Sequence, residues 1–145
     1  MTVRITIISL LLFVMAVSCG ESQDSPRNTV IHLFGAMERN DRAAVNDLLD
    51  LSSLMQEGPQ DYALSSDSAR VFHSPDEILD DLTGDGLTRQ RWFSLQRVVG
   101  SADIKGDTAF VEISFVDKAK GIQYFNKFGL HKVNGRWKIY SFRTM

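Results

Sequence analysis

The chain has 145 residues, with 16 Lys+Arg against 18 Asp+Glu and a formal net charge of −2. That balance leaves no electrostatic footprint for nucleic acid or for an anionic lipid surface. The length suits one domain around one core, and a single cysteine rules out an internal disulfide.

Residues 1–18 read MTVRITIISLLLFVMAVS and run into Cys19-Gly20. Arg4 supplies a positive charge. Residues 5–17 are apolar apart from Thr6 and Ser9, and small Ala16 and Ser18 precede the cysteine, as a cleavable export signal requires. The run falls short of the ~20 residues that cross a bilayer, so a transmembrane anchor is the poorer alternative. An ordinary secretory signal ahead of a chance cysteine stays open. Ala16-Val17-Ser18-Cys19 resembles the lipobox of bacterial lipoproteins, which prefers Leu where this chain has Ala16. The resemblance implies cleavage between Ser18 and Cys19, a diacylglyceryl group on the Cys19 thiol and acylation of the new amino terminus. Membrane lipid is then the first partner, because two or more acyl chains hold a protein stably. Gly20 stands where an aspartate would imply inner-membrane retention, which favours the periplasmic face of the outer membrane. Residues 19–25, the lipidated cysteine and GESQDS, form a short polar tether. It is too short to cross a periplasm, so the domain at residues 26–145 is expected close to the membrane face.

The first half of that domain reads as helices. Ser25-Pro26 is an N-cap followed by proline at the first helical position. Val30, Phe34 and Met37, joined by Ile31 and Leu33, form an apolar stripe at helical spacing. The helix breaks at Asn40-Asp41, and Asp41 caps a second helix carrying Val45, Leu48, Leu49 and Leu54, ended by Gly58-Pro59. Residues 60–73 read as loop with some helix. Ser74-Pro75-Asp76-Glu77 is a capping box that opens a short helix over 75–82.

From Trp92 onward the pattern alternates between tight turns. One strand is expected over 92–104, turned by Lys105-Gly106-Asp107. A second spans 108–116, with Ala109, Val111, Ile113 and Phe115 on one face. A turn over 118–121 leads to a third strand over 122–133. Asn134-Gly135 is the strongest hairpin signal, since both residues tolerate the positive φ of a type I′ turn. Counting from that turn pairs Val133 with Arg136, Lys132 with Trp137, Leu130 with Ile139 and Phe128 with Ser141. Phe128, Leu130, Trp137 and Ile139 then share the core face. Lys127, His131, Lys138, Tyr140 and Phe142 fall on the opposite face, where the aromatics mark His131, Tyr140 and Phe142 as a candidate interaction surface.

Helices followed by an antiparallel meander make an α+β fold. In residues 30–49, which include IHLFGAMERNDRAAVNDLL, and in the ending Lys132-Val133-Asn134-Gly135-Arg136-Trp137-Lys138-Ile139, the chain resembles the nuclear transport factor 2-like (cystatin-like) superfamily. It looks most like the small bacterial lipoproteins of unknown function in that group. The resemblance covers roughly residues 26–145 and implies amino-terminal helices packed on a curved antiparallel sheet, shaped as a cone. Enzymes of the superfamily carry their acids, bases or hydrogen-bond donors inside the cone. Its dehydratases pair a histidine with an aspartate, and its ketosteroid isomerases use an aspartate base with a tyrosine and a second acid. Neither set maps onto this chain residue by residue.

Individual candidates are weak. His32 lies in the first helix and could form a dyad with a strand aspartate, though a helix-edge role suits it better. His73 precedes the Ser74 cap in a loop, and His131 points away from the expected cone interior. Asp81, Asp85 and Gly86 imitate part of a calcium loop, but Trp92 stands where a bidentate glutamate is needed, so a polar turn is preferred. Arg89, Arg91 and Arg97 near Trp92 suggest a nucleic-acid face that the net charge argues against. No metal set, cofactor or nucleic-acid partner is read from the sequence. The expected function is a membrane-anchored envelope lipoprotein that binds a partner or small ligand without catalysis, the partner being a second copy or another envelope protein. The alternative is a small hydrolase, isomerase or dehydratase with its site inside the cone.

Overall fold

A computed structural model describes residues 24–56 and 71–144, with no side-chain account for Arg143 and Thr144. The leader, Ser18, Cys19, most of the tether, and the Gly58-Pro59 stop lie outside the described residues. No described helix is long and apolar enough to cross a membrane.

Among the described residues, five helices precede four strands: α1 (Pro26–Glu38), α2 (Arg42–Leu48), α3 (Leu51–Gln56), α4 (Pro75–Leu82), α5 (Leu87–Phe93), β1 (Gln96–Lys105), β2 (Thr108–Asp117), β3 (Ile122–Val133) and β4 (Arg136–Thr144). The helix starts follow local chemistry. Ser25 Oγ accepts from the Asn28 N–H at 3.1 Å, Asp41 Oδ1 from the Ala44 N–H at 3.0 Å and Ser74 Oγ from the Glu77 N–H at 3.3 Å. Each such cap stabilises its helix by about 1 kcal/mol. The return leg of the capping box goes one residue further out than usual, because the Glu77 carboxylate accepts from the His73 N–H at 2.8 Å.

Two boundaries differ from the sequence expectation. The single helix expected from Asp41 through Leu54 is broken into α2 and α3 at Leu49-Asp50. Leu49 forms a parallel bridge with Ile139, and the Asp50 N–H donates to Ile139 O at 2.8 Å. The linker therefore covers the otherwise open edge of β4. Asp50 then starts α3, accepting from the Ser53 N–H at 3.1 Å. Trp92, expected to open the first strand, belongs to α5, and β1 begins at Gln96.

The strands form one antiparallel sheet in the order β1-β2-β3-β4. The Asn134-Gly135 turn has φ of 51° and 78°, as a type I′ turn needs. Near that turn the pairing is as expected, Val133 with Arg136, Lys132 with Trp137 and Leu130 with Ile139. Beyond Leu130 it is not. A β-bulge between Gly129 and Leu130 leaves Tyr140 as the extra residue, so Gly129 pairs with Ser141 and Phe128 pairs with Phe142 rather than with Ser141. One added residue reverses the facing of the remainder of β4.

The core lies between α1, α5 and the inner sheet face. Val30, Leu33, Met37, Trp92, Val111, Ile113, Phe115, Phe128, Leu130, Ile139 and Phe142 are all fully buried. Trp92 sits at its centre, with ring centroids 5.4 Å from Phe115, 5.4 Å from Phe128 and 5.5 Å from Phe142. Phe34 closes the cluster from α1, edge-on to Trp92 at 5.8 Å. Such pairs add ~0.5–1.5 kcal/mol each beyond the area they bury.

Candidate functional site

Phe142 must be removed from the expected interaction surface. It is completely buried and packs edge-on to Phe128 with centroids 4.7 Å apart. The cause is the bulge at Tyr140, which turns Phe142 inward. Tyr140 and His131 do lie on the outer sheet face, half-buried, with ring centroids 4.9 Å apart.

The sheet register supplies apolar groups that the alternation pattern alone did not single out. Ala109, Val111, Ile113 and Phe115 are buried on the inner face, so Phe110, Glu112 and Ser114 project outward. Phe110 pairs with Gly129, Glu112 with Lys127 and Ser114 with Phe125 across β2 and β3, and Val98 pairs with Ser114 from β1. Phe110 is 40 % exposed, Phe125 48 % and Val98 47 %. Val98 and Phe125 flank Ser114 in one row, and Phe110 lies on the same face beyond the Glu112–Lys127 row, so large exposed side chains share one sheet face, as at an interaction surface. Phe110 was legible as the odd residue out in its alternating strand. Its neighbour Phe125 depended on knowing the β2–β3 register.

A polar cluster borders this face at the β4 edge. His131 Nε2 lies 2.8 Å from Asp50 Oδ2, and Ser53 Oγ donates to the same oxygen at 2.8 Å. Burial pushes the Asp50 carboxyl up, but the Ser53 hydroxyl and N–H and His131 outweigh it and hold the group below the usual carboxylate range. Alongside, Arg136 Nη2 meets Asp47 Oδ2 at 2.6 Å, and Lys138 Nζ donates to the Asp47 carbonyl. The Arg136 hydrogen bond depresses the Asp47 pKa, against a smaller opposing effect of burial. Asn46, Asp50, Ser52, Val133 and Lys138 line a shallow depression of about 310 Å³ here. An aspartate that already serves as a helix cap and holds a histidine is a brace between the α2–α3 linker and the sheet. His131 stood out in the sequence, but Asp50 did not, because it occupies what reads as an interior position of one long helix.

The other candidates resolve into structural roles. His32 is exposed on α1 and His73 is exposed before α4. Asp81 is 5 % exposed and accepts from the Thr88 N–H at 3.2 Å and from the Thr88 hydroxyl, so it ties α4 to α5. Among the described residues no group of three or more His, Cys, Asp and Glu is placed to hold a metal ion. Arg89 donates to Met37 O at 2.9 Å and to Gly84 O at 3.1 Å, capping the end of α1. Arg97 donates to Trp92 O at 3.0 Å and stacks over Phe93 at 3.9 Å, and its desolvation lowers its pKa. Neither guanidinium is arranged as a nucleic-acid contact. Inside the cone, the wholly buried Asn126 carboxamide makes no hydrogen bond among the described residues. The Ser141 hydroxyl, on the outer side of the sheet beside Gly129, is also buried without a hydrogen bond among them.

No protein-family model and no curated protein matches the chain. Solved structures do. A designed nuclear transport factor 2-like protein superposes with a TM-score of 0.56 at 15 % identity, covering 85 % of this chain and 98 % of that one. A de novo designed protein with a curved β-sheet gives a TM-score of 0.49 at 14 % identity, covering 83 % of this chain and 98 % of that one. The first likeness, with the element order and the sheet topology, shows a nuclear transport factor 2-like α+β fold.

Proposed function

We propose that this chain is a lipid-anchored protein of the bacterial cell envelope whose domain binds a protein partner through its outer sheet face, without catalysis. The observation that carries the binding half is the grouping of exposed Val98, Phe110 and Phe125 on that face. The filled interior supports it, because Phe34, Trp92, Phe115, Phe128 and Phe142 occupy the space between α1 and the sheet. The anchoring half rests on the lipobox-like Ala16-Val17-Ser18-Cys19 and the polar tether after it, with Gly20 favouring the outer membrane.

One observation favours the alternative of a hydrolase, isomerase or dehydratase acting inside the cone, namely the unpartnered Asn126 carboxamide. Acid–base chemistry needs a titratable group there. The one buried acid or base among the described residues is Asp81, which Thr88 occupies. Partner binding is therefore the better reading.

Two experiments test the two halves. Cys19→Ser is expected to leave an unprocessed, unlipidated precursor, and a variant that is still cleaved and still enters the detergent phase would overturn the anchor. Phe110→Glu with Phe125→Glu is expected to abolish cross-linking of the protein to its partner in cells. Unchanged cross-linking would overturn the surface.

A further inference from the structure

The tether meets the domain at one end of the sheet. α1 carries its C-terminal end to the start of α5, where Arg89 donates to Met37 O and Asn40 Oδ1 accepts from the Gly84 N–H. α5 feeds the start of β1, so the N-terminal end of α1 points toward the end at which β1 finishes. Arg136, at that end, stands above its ordinary pKa because Asp47 hydrogen-bonds to it. The charge of Asp24, the last residue before the Ser25 cap, adds a smaller contribution. Cys19 lies five residues before Asp24, at most ~18 Å of extended chain.

At this end the β1–β2 and β3–β4 turns sit side by side, joined by the Lys132 N–H donating to Asp107 O at 2.9 Å. Ile104 and Val133 flank the turns, 53 % and 37 % exposed. Lys105 is exposed and its ion pair with Asp103 is long, at 3.6 Å. Lys132 lies over the Trp137 ring and makes no ion pair among the described residues. We propose that this end of the sheet rests on the lipid surface that the acylated Cys19 enters. Ile104 and Val133 sit among the headgroups there, and Lys105 and Lys132 meet lipid phosphates. That contact rests on the lipid-anchored reading of Cys19 and adds the face that meets the membrane.

Two arguments favour a lipid surface as the occupant. The first is the anchor. Two apolar side chains and two lysines are too few to hold a free domain on a bilayer, but a short tether makes the contact intramolecular and raises its effective concentration. Lysine stems also cover apolar surface while their ammonium groups stay at the headgroups. The second is the placement of charge. A net charge of −2 gives the chain as a whole no attraction to anionic lipid, but that charge is unevenly spread. Residues 75–87 hold Asp76, Glu77, Asp80, Asp81 and Asp85 and no Lys or Arg. Gly84 binds Asn40 and Arg42 pairs with Asp76 and Asp80, so this segment sits at the C-terminal end of α1. The 13 residues of α1 set its two ends about 20 Å apart. A leaflet containing anionic lipid repels the acidic end and turns the other end down. The strands then rise from the bilayer, and the outer face stays open sideways to a protein partner.

The test is fluorescence of the full lipidated chain in vesicles of phosphatidylethanolamine and phosphatidylglycerol, with a fraction of the headgroups carrying a nitroxide. With Cys19 acylated, an introduced cysteine is the one free thiol. A polarity-sensitive dye is placed in turn through Ile104→Cys, Val133→Cys, Phe125→Cys and Asp85→Cys. Dyes at 104 and 133 are expected to shift to the blue and to be quenched several-fold more than dyes at 125 and 85. Adding Lys105→Glu and Lys132→Glu to Val133→Cys is expected to remove most of that excess. Quenching unchanged by the reversal overturns the lysine–phosphate contact. Equally weak quenching at all four positions, in protein that still floats with the vesicles, overturns the membrane-facing end and leaves the anchor standing. Quenching at 125 in place of 104 and 133 also overturns it, and puts the outer face on lipid instead. A chain whose mass shows no acyl group on Cys19 removes the anchor and this contact together.

Discussion

The ring of Tyr140 occupies the space above Gly129. A Cβ placed on Gly129 would stand 2.8 Å from Cζ of Tyr140 and 3.0 Å from its hydroxyl oxygen. The bulge that makes Tyr140 the extra residue of β4 and the glycine that leaves room for its ring form one device. It turns Phe142 into the core, against Phe128 and Trp92, and keeps Tyr140 outside beside His131.

Gly129→Ala should therefore overpack the outer face and cost ~1–3 kcal/mol. Urea unfolding would measure it. Adding Tyr140→Ala should return much of the loss, since residues in contact are not additive. Equal losses with and without the tyrosine would show that the ring is not what Gly129 accommodates.

Asp50 should contribute to acid sensitivity. Its folded pKa is depressed, so its contribution to stability is complete above the unfolded value of ~3.9 and fades as the pH falls through the lower folded value. Asp50→Asn keeps an oxygen for the Ser53 cap but loses the charge. The variant should be less stable than wild type at neutral pH, and the two stability curves should converge below about pH 4. Curves that stay parallel across that range would remove Asp50 from the acid response.

Asn126→Leu should stabilise the protein by ~1–3 kcal/mol, because it replaces a buried carboxamide that makes no hydrogen bond with an apolar group of similar volume. Thermal and urea unfolding would both report it. Destabilisation would mean that the amide does meet a hydrogen-bonding partner inside the cone, which would reopen the interior as a ligand site.

Phe125 and Phe128 lie three residues apart on opposite faces of β3, 48 % and 0 % exposed. Phe125→Glu should change the stability of the isolated protein by no more than ~0.5 kcal/mol, whereas Phe128→Ala should cost ~3–5 kcal/mol. If Phe125→Glu is as destabilising as Phe128→Ala, the outer phenylalanine belongs to the fold rather than to recognition.

The features legible in the sequence are those whose chemistry is local. Ser25, Asp41 and Ser74 cap helices because a side-chain oxygen meets an N–H a few residues on. Asn134-Gly135 turns the chain because both residues accept positive φ, and it sets the adjacent register and hence the core side of Leu130 and Ile139. The features that only the tertiary structure decided depend on groups distant in the chain. Leu49 and Asp50 leave a helical pattern because the β4 edge offers the backbone a partner at Ile139. Trp92 leaves the strand because its ring fills the gap between Phe115, Phe128 and Phe142. Phe142 changes face because a bulge shifts the register by one residue, and in a structure whose side chains alternate with period two, one residue is enough to move an aromatic ring from the surface to the core.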